Sequence, residues 1–339
     1  MKKQLLTGLF TVFALAASAQ SNEWRNPQVN AVNRAPMHTN YFAYENADAA
    51  KKGLKESSAN YMTLNGTWKF NWVKDADARP MDFWKTTFND KGWNDMQVPG
   101  VWELNGYGDP IYVNVGYAWR NQFKNNPPEV PTENNHVGSY RREIIVPASW
   151  KGKDIIAHFG SVTSNMYIWV NGRYVGYSED SKLEAEFDLT PYLKPGQKNV
   201  IAVKADNSND ASYPPGKPQE GLDFSYFGGI YRDVYLISTG PVYITDPNEA
   251  GTVAGGGVFF RTESLDPRTR KGRVGVKVQV ANDTDKEQKV RVQAVMTVFL
   301  AAHGLRRQAR PQPDAVGRSD AEMAEDLICE EILLEAKRK

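Results

Sequence analysis

The residues in this sequence that could bind a small polar ligand are carboxylates and amides placed among aromatic rings. Asp223 lies in the run GLDFSYFGGIYRDVYL (221–236), where large rings and glycines surround a single acid before the strand-like second half. An acid in such surroundings is paired, solvated or used, because an unpaired buried charge is costly. Asn114 and Asp109 lie in a similar stretch upstream. Sugar sites combine apolar ring faces with a few directed polar groups, so the pattern is consistent with carbohydrate binding.

Several rings near these polar residues could supply the apolar faces. They are Trp102, Tyr107, Tyr112, Tyr117, Trp119 and Tyr226. The competing interpretation is that they pack in a protein core, and for each ring taken singly core packing is favoured.

No catalytic set follows from spacing alone. The four histidines are scattered without metal-ligand spacing, and His158 alternates with apolar neighbours, which predicts a structural role. The AGGGV run (254–258) lacks the lysine and following helix of a phosphate-binding loop. No Gly-x-Ser-x-Gly nucleophile motif is present.

Bulk composition excludes some partners. The 339 residues carry 41 basic and 40 acidic side chains, so no nucleic-acid or anionic-membrane partner is predicted. The single cysteine, Cys329, excludes an internal disulfide. The length is sufficient for two domains, or one large and one small.

The N-terminus predicts export. Lys2 and Lys3 precede an apolar stretch from Leu5 to Ala17, and Ala17-Ser18-Ala19 is a small-x-small cleavage site. We therefore expect residues 1–19 to be a signal peptide cleaved near Ala19 and the mature protein to be secreted or periplasmic. Residues 20–57 form a polar lead segment without periodicity.

The elements that must position the polar residues are short strands. YMTLNGTWKFNWV (61–73) alternates apolar and polar residues around Asn-Gly, which predicts a hairpin, and Asn171-Gly172 predicts a second one. Further strands are predicted at 139–147, 153–160, 165–180, 199–206 and 230–238. Many short strands with little helix favour an all-β fold, and we predict a jelly-roll β-sandwich over residues 58–240.

A second domain is predicted from about residue 241. The stretches 242–246, 256–263, 272–285 and 288–299 alternate like the first strands of an immunoglobulin-like β-sandwich. Such a domain needs about seven strands, so residues 241–300 are predicted to be an incomplete one.

The tail 301–339 differs in composition from the rest. It has no aromatic residue and no strand alternation, and from Ser319 it could form an amphipathic helix. Truncation, a fusion join and a shifted reading frame are candidate explanations. A natural disordered or helical tail is the alternative.

At this point the motifs resemble a known family. They are VPGVWELNGYGDPIYVNVGY (98–117), NPPEVPTENNHVGSYRREIIVP (126–147), WVNGRYVGYSEDSKLEAEFDLTPYL (169–193) and FGGIYRDVYL (227–236). Together they resemble the N-terminal sugar-binding, galactose-binding-like jelly-roll domain of glycoside hydrolase family 2 β-galactosidases, over roughly residues 24–300. The resemblance implies a jelly-roll domain, an immunoglobulin-like domain, a (β/α)₈ barrel and further β domains in the full-length enzyme.

The resemblance also implies two site residues. Asn114 matches the family asparagine that reaches the active site from this domain. Asp223 matches the aspartate that binds a galactose hydroxyl and helps to hold a sodium ion. Magnesium and sodium are implied for the full-length enzyme, with no cofactor held by this chain alone, and family members are often homo-oligomeric.

No catalytic residue is transferred to this chain. The family hydrolyses β-galactosides with two barrel glutamates. This chain has Asn-Glu pairs at Asn22-Glu23 and Asn248-Glu249. Neither pair ends a barrel strand, so the acid/base role is not transferred to either glutamate. We therefore expect this chain to be the sugar-binding portion of an exported β-galactosidase. Its substrate would be a galactoside, and the chain alone would show no turnover. The alternatives are a free-standing carbohydrate-binding module and a structural or adhesive exported β-protein.

Overall fold

The computed structural model describes residues 23–38, 42–109, 111–113, 132–206, 224–245, 257–266, 268–269, 271–292 and 332–336. Two compact units are distinguished by their internal contacts, the first holding most residues up to Ser238 and the second most residues from Thr239 onward. The described residues include one α-helix, α1 (Ala47–Lys52), and short 3-10 helices at Glu23–Arg25, Lys55–Ser57, Ala76–Ala78, Glu103–Asn105 and Ala148–Trp150. The prediction of an all-β fold is confirmed.

The first unit is a two-sheet sandwich. Its strands are β1 (Ala31–Val32), β2 (Tyr61–Thr63), β3 (Gly66–Val73), β4 (Asn94–Val98), β5 (Ile111–Val113), β6 (Val137–Ile145), β7 (Asp154–Phe159), β8 (Val162–Thr163), β9 (Asn165–Val170), β10 (Arg173–Glu179), β11 (Ala185–Asp188), β12 (Lys198–Asp206), β13 (Phe224–Tyr226), β14 (Gly229–Ile230) and β15 (Val234–Thr239). The seven-stranded sheet has the order β1-β10-β9-β12-β6-β3-β4, and the four-stranded sheet has the order β11-β7-β15-β2. Two short two-stranded sheets pair β13 with β5 and β14 with β8.

Side chains of both large sheets form one core. Alternate residues of β9 point inward, and Met166, Ile168 and Val170 pack there with Phe159 and Leu236 of the smaller sheet. The outer face of the larger sheet is also covered, since Tyr167 and Trp169 pack in a second buried cluster with Trp24. A strand buried on both faces needs a continuous apolar run rather than alternation, and NMYIWV has that pattern apart from its first residue.

The two predicted hairpins have different outcomes. The turn at Asn171-Gly172 is confirmed: both residues have positive φ, 51° and 81°, and Arg173 pairs with Val170. The hairpin predicted over residues 61–73 is wrong. β2 pairs with β15 in the smaller sheet, whereas β3 pairs with β4 and β6 in the larger one. The chain therefore crosses between sheets at residues 64–65.

Another predicted strand, 230–238, is divided. β14 ends at Ile230 and β15 begins at Val234, and the two strands belong to different sheets. Tyr231 follows β14 in the chain, and its hydroxyl donates a hydrogen bond to the carbonyl of Ser181.

The second unit contains, in its described residues, one four-stranded sheet. Its strands are β16 (Val242–Ile244), β17 (Val258–Asp266), β18 (Lys271–Asn282) and β19 (Ile332–Ala336). β18 pairs antiparallel with β16 and β17, and β19 pairs with it in parallel. One face is apolar, because Val258 lies opposite Val278 and Phe260 lies opposite Val276. Val258 and Phe260 are exposed on that face.

Two predictions for this region are wrong where the structure describes it. Residues 288–292, predicted to begin a strand, have no regular secondary structure. The amphipathic helix that could form from Ser319 onward is not found at residues 332–336, which form β19. The apolar ILLEA run can satisfy its backbone groups by pairing with β18, so sheet pairing replaces the local helical preference.

Candidate functional site

A short two-stranded frame lies next to the two predicted sugar-binding residues. β5 and β13 pair antiparallel, with Val113 opposite Phe224 and Ile111 opposite Tyr226. Val113 precedes Asn114 in the chain, and Phe224 follows Asp223. The pairing therefore brings together the immediate chain neighbours of both residues.

The same two chain segments stay paired beyond the short strands. The N–H of Gly100 donates to the carbonyl of Ile230 at 2.8 Å, and the N–H of Trp102 donates to the carbonyl of Gly228 at 3.0 Å. The N–H of Gly228 in turn donates to both carboxylate oxygens of Glu103, at 3.1 and 3.0 Å. We call the paired segments 100–113 and 224–230 the site frame.

Trp102 anchors the site frame in the sandwich core. Its side chain is fully buried, and its indole N–H donates to the hydroxyl of Tyr140 at 2.5 Å. Gly138 makes room for the ring, because a Cβ there would lie 2.4 Å from Cζ2 of Trp102. The suggestion that Trp102 offers a face to a sugar is wrong, since the core encloses the ring.

The second glycine of the FGGIYRDV motif is required by the site frame. Gly229 has φ +119°, a conformation that side chains rarely allow, and a Cβ there would meet the carbonyl oxygen of Gly100 at 2.6 Å. The close approach of segments 100–102 and 228–230 therefore depends on glycine.

The site frame connects to one end of the larger sheet. Asp206 ends β12 and lies opposite Val137, the first residue of β6, which itself lies opposite Val73, the last residue of β3. The chain between Val113 and Val137 contains Asn114, and the chain between Asp206 and Phe224 contains Asp223. In chain order, each of these segments joins a strand of the larger sheet to a strand of the site frame.

An aromatic cluster joins Tyr107, which lies just before β5 in the chain, to rings of β3 and to His136. Tyr107 packs edge-on against Phe70 with ring centroids 4.9 Å apart, and His136 lies 5.0 Å from Trp72. Gly108, with φ +75°, fits between them, because a Cβ there would lie 3.3 Å from Trp72. Tyr107 is therefore partly engaged in packing, as the core interpretation of these rings expects.

The charge state of His136 is set mainly by this packing. Burial lowers the pKa of its imidazole, and the nearby ammonium group of Lys74 lowers it further. The carboxylates of Asp75 and Asp109 act in the opposite direction but more weakly. His136 is thus held in its neutral form close to the site frame.

His158 is structural, as its alternation with apolar neighbours predicts. Its Nδ1 lies 2.8 Å from a carboxylate oxygen of Glu186 on the neighbouring strand, and its ring stacks on Tyr235 at 4.4 Å. This group lies in the smaller sheet.

The structure does not describe every residue that the sequence singles out. Asn114, Asp223, Tyr117 and Trp119 lie outside the described residues, and of Tyr112 and Tyr226 only the strand pairing is described. Among the described residues, no three His, Cys, Asp or Glu side chains converge as a metal site would require. The role of Asp223 as a sodium ligand stays a prediction.

Sequence reasoning missed Glu103 and His136. Neither follows from spacing, because Glu103 acts on a residue 125 positions away and His136 packs against Trp72, which lies on a separate segment. The doubled glycine at 228–229 was the available signal, since glycines inside a strand-like run indicate close backbone approach.

Comparison with known proteins identifies the family. The family described as "Glycosyl hydrolases family 2, sugar binding domain" matches residues 61–241, and the chain belongs to this family. It is 38% identical over 261 residues to the β-galactosidase of Priestia megaterium. These residues make up 77% of this chain and 24% of that protein.

A second curated relative and a solved structure are also similar to the chain. The chain is 39% identical over 222 residues to the β-galactosidase of Halalkalibacterium halodurans, covering 66% of this chain and 21% of that protein. It thus spans about a quarter or less of these two curated relatives. A solved β-glucuronidase of Bacteroides uniformis matches with a TM-score of 0.47 at 24% identity, covering 66% of this chain and 22% of that one. No helix of the described residues is long and apolar enough to cross a membrane.

Proposed function

We propose that this chain is the sugar-binding N-terminal portion of an exported β-galactosidase, an enzyme that hydrolyses terminal β-D-galactosyl residues. Asn114 and Asp223 bind the galactosyl group, Asp223 through a hydroxyl of the sugar. Family membership over residues 61–241 and the identity to two β-galactosidases support this assignment.

The observation that carries the proposal is the pairing of β5 with β13. It brings Val113 next to Phe224, and these are the chain neighbours of the two proposed sugar ligands. A carboxylate and an amide in one site can accept and donate hydrogen bonds to neighbouring hydroxyls of one sugar ring. The frame that delivers them is fixed in the core by Trp102.

The chain supplies binding and orientation in this proposal. Retaining glycoside hydrolysis needs an acid/base and a nucleophilic carboxylate about 5 Å apart across the sugar. We assign both to a part of the enzyme beyond these 339 residues, so the chain by itself is expected to show no turnover. We also propose that residues 1–19 direct export, because their charge, apolar run and cleavage site occur in the order of a signal peptide.

A chimeric enzyme tests the proposal. The aligned N-terminal segment of the Priestia megaterium β-galactosidase is replaced by the corresponding segment of this chain, and hydrolysis of an aryl β-galactoside is measured. We expect activity, and a loss of kcat/KM of about tenfold or more in the Asn114→Ala and Asp223→Ala chimeras, since hydrogen bonds to sugar hydroxyls strengthen in the transition state.

The matched control is Glu143→Gln in the same chimera. Glu143 is an exposed residue of β6 that pairs with Lys198, and its substitution should leave kcat/KM unchanged. A folded, active chimera in which Asp223→Ala has no effect would contradict the assignment of the sugar ligand. Preference for an aryl β-glucuronide over the galactoside would contradict the substrate class.

A further inference from the structure

We infer that Glu103 is a positioning residue whose carboxylate holds β13 against β5, the two strands that adjoin the proposed sugar ligands in the chain. The inference rests on the proposed function for its consequence in sugar binding. The geometry of the site frame supports it independently.

A side chain replaces a backbone acceptor at one point of the site frame. Trp102 donates its N–H to the carbonyl of Gly228, but its own carbonyl accepts the N–H groups of Asn105, at 2.9 Å, and Tyr107, at 3.1 Å. That carbonyl is therefore occupied by the turn that follows it. The N–H of Gly228 instead reaches the carboxylate of Glu103.

The local sequence explains why a side chain replaces the backbone acceptor here. Residues 103–105 form a 3-10 helix that ends at Gly106, which has φ +84°. This tight turn directs the carbonyl of Trp102 along the turn, as intrahelical bonding requires. An acceptor for Gly228 must then come from a side chain, and a carboxylate gives a stronger hydrogen bond than a neutral amide.

Gly228 lies between the anchored and the functional part of the second segment. On one side, Gly229 and Ile230 pair with β8 and contact Gly100. On the other side, Phe224–Tyr226 pair with β5. A frame that is loose at Gly228 would let β13 shift relative to β5, because three paired residues alone form a weak ladder. Binding groups need placement within about half an ångström, so such a shift would weaken sugar binding.

Amide hydrogen exchange of the ¹⁵N-labelled chain tests the inference. In the Glu103→Ala variant we expect the amides of Gly228 and β13 to exchange about tenfold faster or more, because the bond to a charged acceptor is lost. Amides of β9 and β12 should keep their protection. The dissociation constant for D-galactose, from chemical-shift titration, should rise by about tenfold.

Two further variants make the result specific. Glu103→Gln keeps one acceptor oxygen and should restore part of the protection and part of the galactose affinity. Leu104→Ala alters the exposed neighbour in the same 3-10 helix and should change neither.

Three results would overturn the inference. They are unchanged exchange at Gly228 and β13 in Glu103→Ala, an equal effect of Leu104→Ala, and a loss of protection spread over the whole sandwich. Local loss of protection together with no galactose response in the unsubstituted chain would support the positioning role and contradict the proposed sugar site, so the two failures are distinguishable.

Discussion

The burial of His136 near the site frame makes the free energy of unfolding depend on pH. Its ring lies against Trp72, and burial is the main cause of its lowered pKa. In the unfolded chain the imidazole titrates near 6.5. Between the lowered folded-state pKa and about 6.5, the unfolded state therefore binds more protons than the folded state, and the free energy of unfolding rises with pH in that window.

We predict that His136→Gln removes this part of the pH dependence. The unsubstituted chain should lose stability as the pH falls below about 6.5 toward the lowered folded-state pKa of His136, and the variant should lose less over the same interval. Guanidinium unfolding followed by tryptophan fluorescence at several pH values measures this. The difference in free energy of unfolding between the two proteins at pH 8 measures the packing lost in His136→Gln. If that difference is the same at low pH, the prediction is contradicted.

Two residues show how far the local sequence predicts the environment of a side chain. His158 was predicted to be structural from its alternation with apolar neighbours, and it stacks on Tyr235. Lys204 shows the limit: its ammonium group is buried 3.0 Å from Asp206 and lies over the ring of Tyr167. Trp24, more than 150 residues away, helps to cover it. A contact at that separation leaves no periodic signal in the strand.

At the scale of elements, Asn65 fixes the crossing between the two sheets. Its amide oxygen accepts the N–H of Val234 at 2.8 Å, and its amide nitrogen donates to the carboxylate of Asp233 at 2.9 Å. The N–H of Leu64 also donates to the carbonyl of Val234. The Asn-Gly pair therefore joins β2 and β3 to different sheets, although its sequence is typical of a hairpin turn.

We predict that Asn65→Ala destabilises the first unit by about 1–3 kcal/mol, because the N–H of buried Val234 loses its acceptor. Urea unfolding of both proteins measures the change.

Gln97→Ala is the matched control for this variant. Gln97 hydrogen-bonds Thr67 on the neighbouring strand through an exposed contact, and its loss should cost less than about 0.5 kcal/mol. Equal effects of the two substitutions would contradict a specific role for the crossing.

The contrast between the two Asn-Gly pairs explains which elements the sequence could predict. At Asn171-Gly172, strands of matching length flank the turn and pair with each other, so local chemistry suffices. Around Asn65, Leu64 and Trp68 must both reach the core. Burial from two sheets then decides the path of the chain, and only contacts with the distant residues 233–234 reveal it.

At the scale of the molecule, the first unit has a covered core, and in the described residues of the second unit one apolar sheet face is exposed at Val258 and Phe260. The all-β fold followed from strand length and spacing. The site frame did not, because it joins segments more than 100 residues apart through glycine approaches and one carboxylate. Family motifs supplied Asn114 and Asp223, and the pairing of β5 with β13 supplies a reason why the two would act together.

The most direct measurement of the central claim is a D-galactose titration of the ¹⁵N-labelled chain followed by NMR. We predict saturable shifts confined to Asn114, Asp223 and the amides of β5 and β13, with a dissociation constant weaker than about 1 mM, since the chain provides one wall of the site. Asp223→Ala should abolish the shifts, whereas Asp283→Ala, an exposed acid of the second unit, should leave them unchanged. Shifts that lie elsewhere, or that persist in Asp223→Ala, would contradict the account.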